Sequence, residues 1–277
     1  MDARAARPGR QAACGNRVHS RRETGTYPKT LPGPDNAKGF NTAEGRSVGS
    51  VDTSPRHYVF SDVDETLINR KSMFDFLSFY LTRRYGPQGA RRATTVREDL
   101  AARAAAGVPR EASSRTYYRA WAGQSASDVT REAIQWHRER SADNSFYIPQ
   151  TRAALARHRA EGAAVVLVSG AFPAVLGPIA HDVGAAQVLC TVPEERDGVL
   201  TGEITGPPML GKNKRGAVRA LLRDNPHIDP AECFAYGDHI SDLPMLTEVG
   251  HPVIVGPGKE LAAALPTAQR LHTKQPQ

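Results

Sequence analysis

Cysteine is scarce: three in 277 residues, Cys14, Cys190 and Cys233. An odd, widely spaced trio forms neither a disulfide framework nor a zinc-type spacing, and a reducing cytoplasm is the compartment that suits it. Aromatic residues amount to 6%, with two tryptophans. No apolar run approaches the ~20 residues that span a bilayer, so no membrane partner is expected. No zinc-finger or RNA-recognition signature occurs, and no internal repeat is visible.

What remains is the composition of a soluble globular protein, 40% hydrophobic and 23% charged. The length allows one or two domains with a substantial core. Net charge is +7, unevenly placed. Residues 1–55 carry nine Lys/Arg against five Asp/Glu, and residues 67–150 carry fourteen against eight. The excess on the internal segment fits an anionic small ligand. A basic nucleic-acid-binding module is the competing reading, and the scatter of the basic residues weakens it.

Residues 1–55 read as a disordered extension, with seven Gly, five Pro and only two aromatics, Tyr27 and Phe40. Arg21-Arg22 is followed by no apolar region, so twin-arginine export is not expected. Residues 56–61 predict a first core strand. A helix then runs from about Ser72 to Tyr85, with Met73, Phe76, Leu77 and Tyr80 on one stripe, and Gly86-Pro87 stops it. Further helices are predicted over 88–106, 110–122 and 128–140, the last capped by Ser127 or Asp128. Residues 67–148 thus form a helical module inserted into an α/β domain. From residue 149 helices and strands alternate: helix 151–161, strand 163–168, helix 172–183, strands 186–191 and 198–204 around Asp197-Gly198, a helix opened by Lys212 and Lys214, strand 232–236, helix 242–248 and strand 252–255. The α/β core is therefore 56–66 with 149–265, and residues 266–277 form a flexible tail.

The chemistry is concentrated at Tyr58 to Ile68. Tyr58, Val59 and Phe60 end a buried strand, and Asp62 and Asp64 follow at i and i+2, so both point into one small volume. At the carboxyl end of a strand this is where open α/β sheets bind ligands. Two like charges that close need a cation or a proton between them, and an aspartate is also able to attack phosphorus. Other strand ends carry Ser169-Gly170 and Gly237-Asp238 with Asp242, and a helix opens near Lys212 and Lys214. Parallel strands bring such ends to one edge. Asp62, Asp238 and a main-chain carbonyl at Asp64 suit magnesium, which takes oxygen ligands. Ser169, the Gly170 amide and a lysine suit phosphoryl oxygens. Asp242 is placed to orient metal-bound water or the lysine.

These motifs, in this order, resemble a haloacid-dehalogenase-superfamily phosphatase of the phosphoserine-phosphatase-like branch, subfamily IB, with a helical cap of the C1 type. The first motif is Asp62-Val63-Asp64-Glu65-Thr66, the second Val168-Ser169-Gly170, and the third Lys214, with Lys212 less favoured. The fourth is Gly237-Asp238 with Asp242. The resemblance covers about residues 56–265 and implies a Rossmann-like parallel core, a magnesium ion held by Asp62, Asp64 and Asp238, Asp62 as nucleophile and Asp64 as acid and base. Glu65 departs from the glycine common in relatives, and His239 from a small residue. The expected function is hydrolysis of a small phosphorylated metabolite, with transfer to an acceptor alcohol as the alternative. Lys71, Ser72, Arg115, Arg119 and His239 are candidate substrate contacts, though a solvated face is the commoner fate of such arginines. Trp121 and Trp136 are expected in the core, and Cys190 and Cys233 buried and inert. No pattern specifies an oligomeric state.

Overall fold

The structure, a computed structural model, describes residues 54–273. The chain divides into Met1–Phe40 and Asn41–Gln277, and the described residues belong to the second unit. The extension expected over residues 1–55 lies almost wholly outside them, as do residues 274–277 of the expected tail.

Apolar stretches with no polar face set the sheet. β1 (Tyr58–Ser61) is buried along its whole length, and β2 (Ala164–Ser169) at all but its first residue, as strands covered on both faces are. Between them come α1 (Ser72–Ala105), α2 (Arg110–Arg119), α3 (Ala126–Ser141) and α4 (Pro149–Ala160). After β2 follow α5 (Pro173–Val183), β3 (Gln187–Cys190), β4 (Val192–Arg196), β5 (Val199–Thr205), α6 (Lys212–Arg223), β6 (Phe234–Gly237), α7 (Leu243–Leu246), β7 (His251–Val255), α8 (Lys259–Ala264) and β8 (Gln269–Leu271). Six strands form one parallel sheet in the order β3-β2-β1-β6-β7-β8. Val59 of β1 pairs with Val165 on one side and Phe234 on the other. The chain winds outward from β1 through β2 and β3, then returns to β6 on the other side. Strand order therefore reverses beside β1, and a crevice opens there at the carboxyl ends. The predicted α/β class holds. Among the described residues, no helix is long and apolar enough to cross a membrane.

The insertion between β1 and β2 is helical, and α1 is not one straight rod. Gly86 stands at φ 57° and ψ −141° inside it, directly before Pro87. Glycine reaches that conformation without a Cβ clash, so the helix breaks where Gly86-Pro87 predicts its stop. The insertion packs on α5 through a run of rings. Phe76 stacks on Trp121 at 5.3 Å, and Trp121 meets Phe172 at 5.4 Å. Trp121 and Trp136 are fully buried, in the core as expected. One apolar cluster thus runs from the sheet into the inserted helices without a gap.

Four local expectations need correction. Ser125 rather than Ser127 or Asp128 caps α3, accepting from the Asp128 amide. The Asp197-Gly198 turn joins β5 not to β3 but to β4, an additional strand. β3 is already parallel to β2 in the main sheet, so a hairpin needs a fresh antiparallel partner. That hairpin closes on the insertion, with the Gly123 amide donating to the Leu200 carbonyl at 2.8 Å and the Leu200 amide to Gln124 at 2.9 Å. The expected flexible tail holds an edge strand, with Val253 paired to Gln269 and Val255 to Leu271; backbone pairing places it, and its polar side chains gave no apolar signal. Cys190 is half-buried, not buried like Cys233.

At the opposite end of the sheet His57, His158 and Phe234 pack together, with ring centroids 4.4 Å apart for His158 and Phe234. His158 Nε2 lies 2.9 Å from the Tyr236 hydroxyl, while His57 Nε2 and His158 Nδ1 are buried without a hydrogen-bond partner, the latter 3.9 Å from Glu161. Burial lowers both histidines below the usual value, although Glu161 pulls the other way and Glu232 also does so on His57. The folded state therefore takes up protons on both rings at lower pH than the unfolded chain does, and this contribution to stability falls as pH drops below about 6.5. Raised carboxylates elsewhere have the opposite slope, so the comparison must be between variants. His158→Gln should lose less of its thermal midpoint than the wild type between pH 7.5 and 5.5. Parallel profiles would refute the assignment.

Candidate active site

The site is built from the first residues beyond three parallel strands and from the first turn of α6. The Asp62 amide continues the ladder by donating to the Tyr236 carbonyl at 3.0 Å, which fixes the backbone of Asp62 beside β6. Thr66 then donates its hydroxyl to Asp238 Oδ1 at 2.9 Å, tying the first acidic loop to the fourth motif. After Gly237 the chain turns so tightly that a Cβ on that residue would stand 2.7 Å from the Asp242 Cβ. Only a glycine lets Asp242 fold back against the strand end.

Lys214 occupies the centre. It is 2% exposed, and its Nζ donates to Asp62 Oδ1 at 2.5 Å and to Asp242 Oδ1 at 2.7 Å. Lys212, two residues earlier on the same turn, is exposed. Carboxylate oxygens of Asp62, Asp238 and Asp242 lie within 4.8 Å of one another. The structure thus brings Asp242 into the acidic group. The side chain of Asp64 is not one of that group, though it stands near enough to Asp62 for the Asp62 charge to raise it. Asp64 faces the insertion, where Ser72 stands against its carboxyl and the Tyr117 side chain is near. Asp64 Oδ1 and Ser72 Oγ are each buried without a hydrogen-bond partner in the structure.

Burial dominates the electrostatics. It pushes Asp62 up to about 7 while Lys214 pulls it back. It pushes Asp64 up to about 7, partly offset by Ser72. Asp238 rises to about 6 through burial and the nearby Asp242. Burial also works to strip Lys214 of its charge, but Asp242 and Asp62 together hold the ammonium above the usual lysine range. Several carboxylates share one lysine, and the donors are all oxygen. That set fits a hard divalent cation, with Asp62, Asp238 and Asp242 as the side chains able to hold it.

The second motif closes the opposite wall. Ser169, 2% exposed at the end of β2, accepts from the Ala171 amide at 3.1 Å. The Gly170 carbonyl accepts from the Tyr118 hydroxyl of α2 at 2.9 Å. Of the candidate substrate contacts, Ser72 is buried against Asp64, and Lys71 is exposed with Nζ 3.4 Å from Glu65. Arg115 and Arg119 are not brought to the acids: Arg115 donates to the Gly206 carbonyl at 3.2 Å, and Arg119 lies 3.8 Å from Glu203 of β5. His239 lies at the mouth, where it meets Arg110, a residue that sequence reasoning passed over. Only its Pro109-Arg110 position at the start of a helix could have pointed to it.

The sequence profile of the haloacid dehalogenase-like hydrolases matches residues 59–247, the span that holds all four motifs. The chain belongs to this family. Its resemblance to individual members is partial. A protein of Mycobacterium tuberculosis named as a probable phosphatase is 39% identical over 108 residues, 39% of this chain and 37% of its own. The chain therefore spans little more than a third of that relative. A Bordetella pertussis protein of unknown function superposes with a TM-score of 0.68 at 25% identity, covering 79% of this chain and 99% of that one. A phosphoserine phosphatase carrying an analogue of the phospho-aspartyl intermediate superposes at 0.59 with 16% identity, over 80% of this chain and 95% of that one; at that identity the likeness is one of fold.

Within the family's first motif Glu65 now has a physical account. It stands at φ 62°, in the left-handed region, where a glycine carries no penalty. Glu65→Gly should unfold within about 0.5 kcal/mol of the wild type or be more stable, and Glu65→Val should lose more than about 1 kcal/mol. Urea denaturation decides, and the reverse order would discard the strain. Removing Lys214 leaves Asp62 and Asp242 buried without their cation, so Lys214→Ala should cost about 3 kcal/mol or more near neutral pH. Lys212→Ala should stay within about 0.5 kcal/mol. Equal effects would contradict the central place given to Lys214.

Proposed function

We propose that the protein is a magnesium-dependent phosphomonoesterase acting on a small phosphorylated metabolite through an aspartyl phosphate on Asp62. The grouping of Asp62, Asp238 and Asp242 around the buried Lys214 ammonium is the observation that supports it most directly. Asp62 attacks phosphorus with a carboxylate oxygen while Lys214 favours its ionised form. Lys214 and the Ser169 hydroxyl, whose oxygen already accepts from the Ala171 amide, donate to the phosphoryl oxygens. Asp64, pushed up to about 7 by burial, is able to give up and take back a proton near neutral pH. It gives that proton to the leaving alcohol, then takes one from the water that cleaves the aspartyl phosphate. Its position toward the insertion leaves the alcohol facing the inserted helices, which act as a cap that excludes bulk water. A magnesium ion on Asp62, Asp238 and Asp242, with a main-chain carbonyl at Asp64, would supply charge neutralisation for nucleophile and phosphoryl group together.

Asp62→Asn should remove phosphate release from a panel of phosphorylated metabolites by about 10⁴-fold or more while the fold persists; an active variant would end the proposal. Magnesium should raise the thermal midpoint of the wild type, because it separates carboxylates that otherwise repel. Asp238→Asn should give a smaller rise and a weaker magnesium titration, and an unchanged titration would remove Asp238 from the metal site.

A further inference from the structure

Ser72 opens α1 and is fully buried, between the exposed Lys71 and the half-buried Met73. Among the described residues, its Oγ has no hydrogen-bond partner, and neither has Asp64 Oδ1. The two groups face each other, and the Ser72 amide also turns to the Asp64 carboxyl. Lys71 gives α1 no capping side chain. The Asp64 carboxyl therefore stands where a cap would, at the positive end of the helix. The place of the hydroxyl is set from two directions. The Tyr117 hydroxyl donates to the Met73 carbonyl at 2.8 Å, and Asp75 accepts from Trp136 Nε1 at 3.2 Å and from Arg140 Nε at 2.9 Å, so three neighbours pin the first turn of α1. The loop between Asp64 and Ser72 is tied as well, with the Glu65 amide donating to Ile68 and the Asn69 amide to Phe146, both at 2.8 Å.

Burying a hydroxyl that makes no hydrogen bond is destabilising, and an alanine would fill nearly the same volume. A buried orphan of this kind calls for an explanation outside stability. Hydrogen bonds between catalytic groups are often long or poorly aligned in the free enzyme and tighten in the complex with substrate. Resting on the phosphatase reading above, we propose that Ser72 is a positioning residue, whose hydroxyl and amide orient the Asp64 carboxyl for proton transfer to the leaving oxygen. The Ser72 hydroxyl donates to one carboxyl oxygen, and the other carries the proton. That proton passes to the leaving oxygen as its bond to phosphorus breaks, and Asp64 recovers a proton from the water that cleaves the aspartyl phosphate. Ser72 itself touches no reacting atom. A space-filling residue or a substrate contact at the same place would instead serve esters alike, whatever their leaving group.

The full-length enzyme with magnesium is assayed on para-nitrophenyl, phenyl and benzyl phosphates. These monoesters share a ring, but their leaving oxygens depart with falling ease and need a proton increasingly. Ser72→Ala should lower kcat/KM about tenfold or more on benzyl phosphate and less than about threefold on para-nitrophenyl phosphate, with phenyl phosphate between. Ser72→Gly also lacks the hydroxyl and should show the same gradient; it decides the matter if the alanine variant does not fold. Ser72→Thr keeps the hydroxyl and should keep the wild-type ratio of benzyl to para-nitrophenyl phosphate. Equal losses on the three esters would show a structural or substrate-binding role and overturn the proposal. So would wild-type rates in the variants without the hydroxyl, and in both cases the phosphatase reading survives. A wild type confined to para-nitrophenyl phosphate would remove the acid role of Asp64 and the inference with it. One that turns over none of the three would remove the phosphatase reading itself.

Discussion

Carboxylates crowded at the end of a sheet repel one another, and the ammonium of Lys214 is what allows this fold to keep them. Asp62 follows β1 and Asp242 lies in the loop after β6, and Lys214 bridges them from the first turn of α6. Without that bridge two acids would lie buried and unpaired, an arrangement that costs several kcal/mol. With it, burial, helped by the neighbouring carboxylates, still holds Asp62, Asp64 and Asp238 above the ordinary carboxylate range. The site is thus prepared for one more positive charge, and the proposed metal ion answers that electrostatic demand.

The inserted helices share the apolar core of the sheet. Phe76, Trp121 and Phe172 form a continuous ring contact from α1 to the start of α5. Tyr118 donates to the Gly170 carbonyl and Tyr117 to the Met73 carbonyl. Asp64 is near Ser72 and Tyr117 of this layer, and Arg110 reaches from it to His239 and Ser241. Core packing and the chemistry of the mouth are consequently coupled: a cavity beneath Trp121 would move residues that touch the acidic loops.

Much of the arrangement was legible along the chain. Apolar runs ending in Asp62, Ser169 and Asp238 marked buried parallel strands, because a strand covered on both faces has no polar alternation to obscure it. Gly86-Pro87 marked a break that the backbone makes at Gly86. The errors fall where side-chain pattern carries little information. β8 is placed by backbone pairing at a sheet edge, β4 by the need of β5 for an antiparallel partner, and the cap of α3 by Ser125 rather than its neighbours. Arg110 was passed over because one arginine among many in a basic segment has no local mark. Arg115 and Arg119, singled out instead, are held by the hairpin.

The sequence by itself determined the class of the sheet, the order of the motifs and the kind of chemistry, since hydrophobic periodicity and the identity of oxygen-bearing side chains are local properties. The tertiary structure alone decided that Lys214 and not Lys212 is buried among the acids, that Asp242 joins Asp62 and Asp238 while the Asp64 side chain turns toward the insertion, and that Arg110 stands at the mouth. Each of these depends on which side chains from distant segments share a few ångströms of buried space, and that is set by how the elements pack.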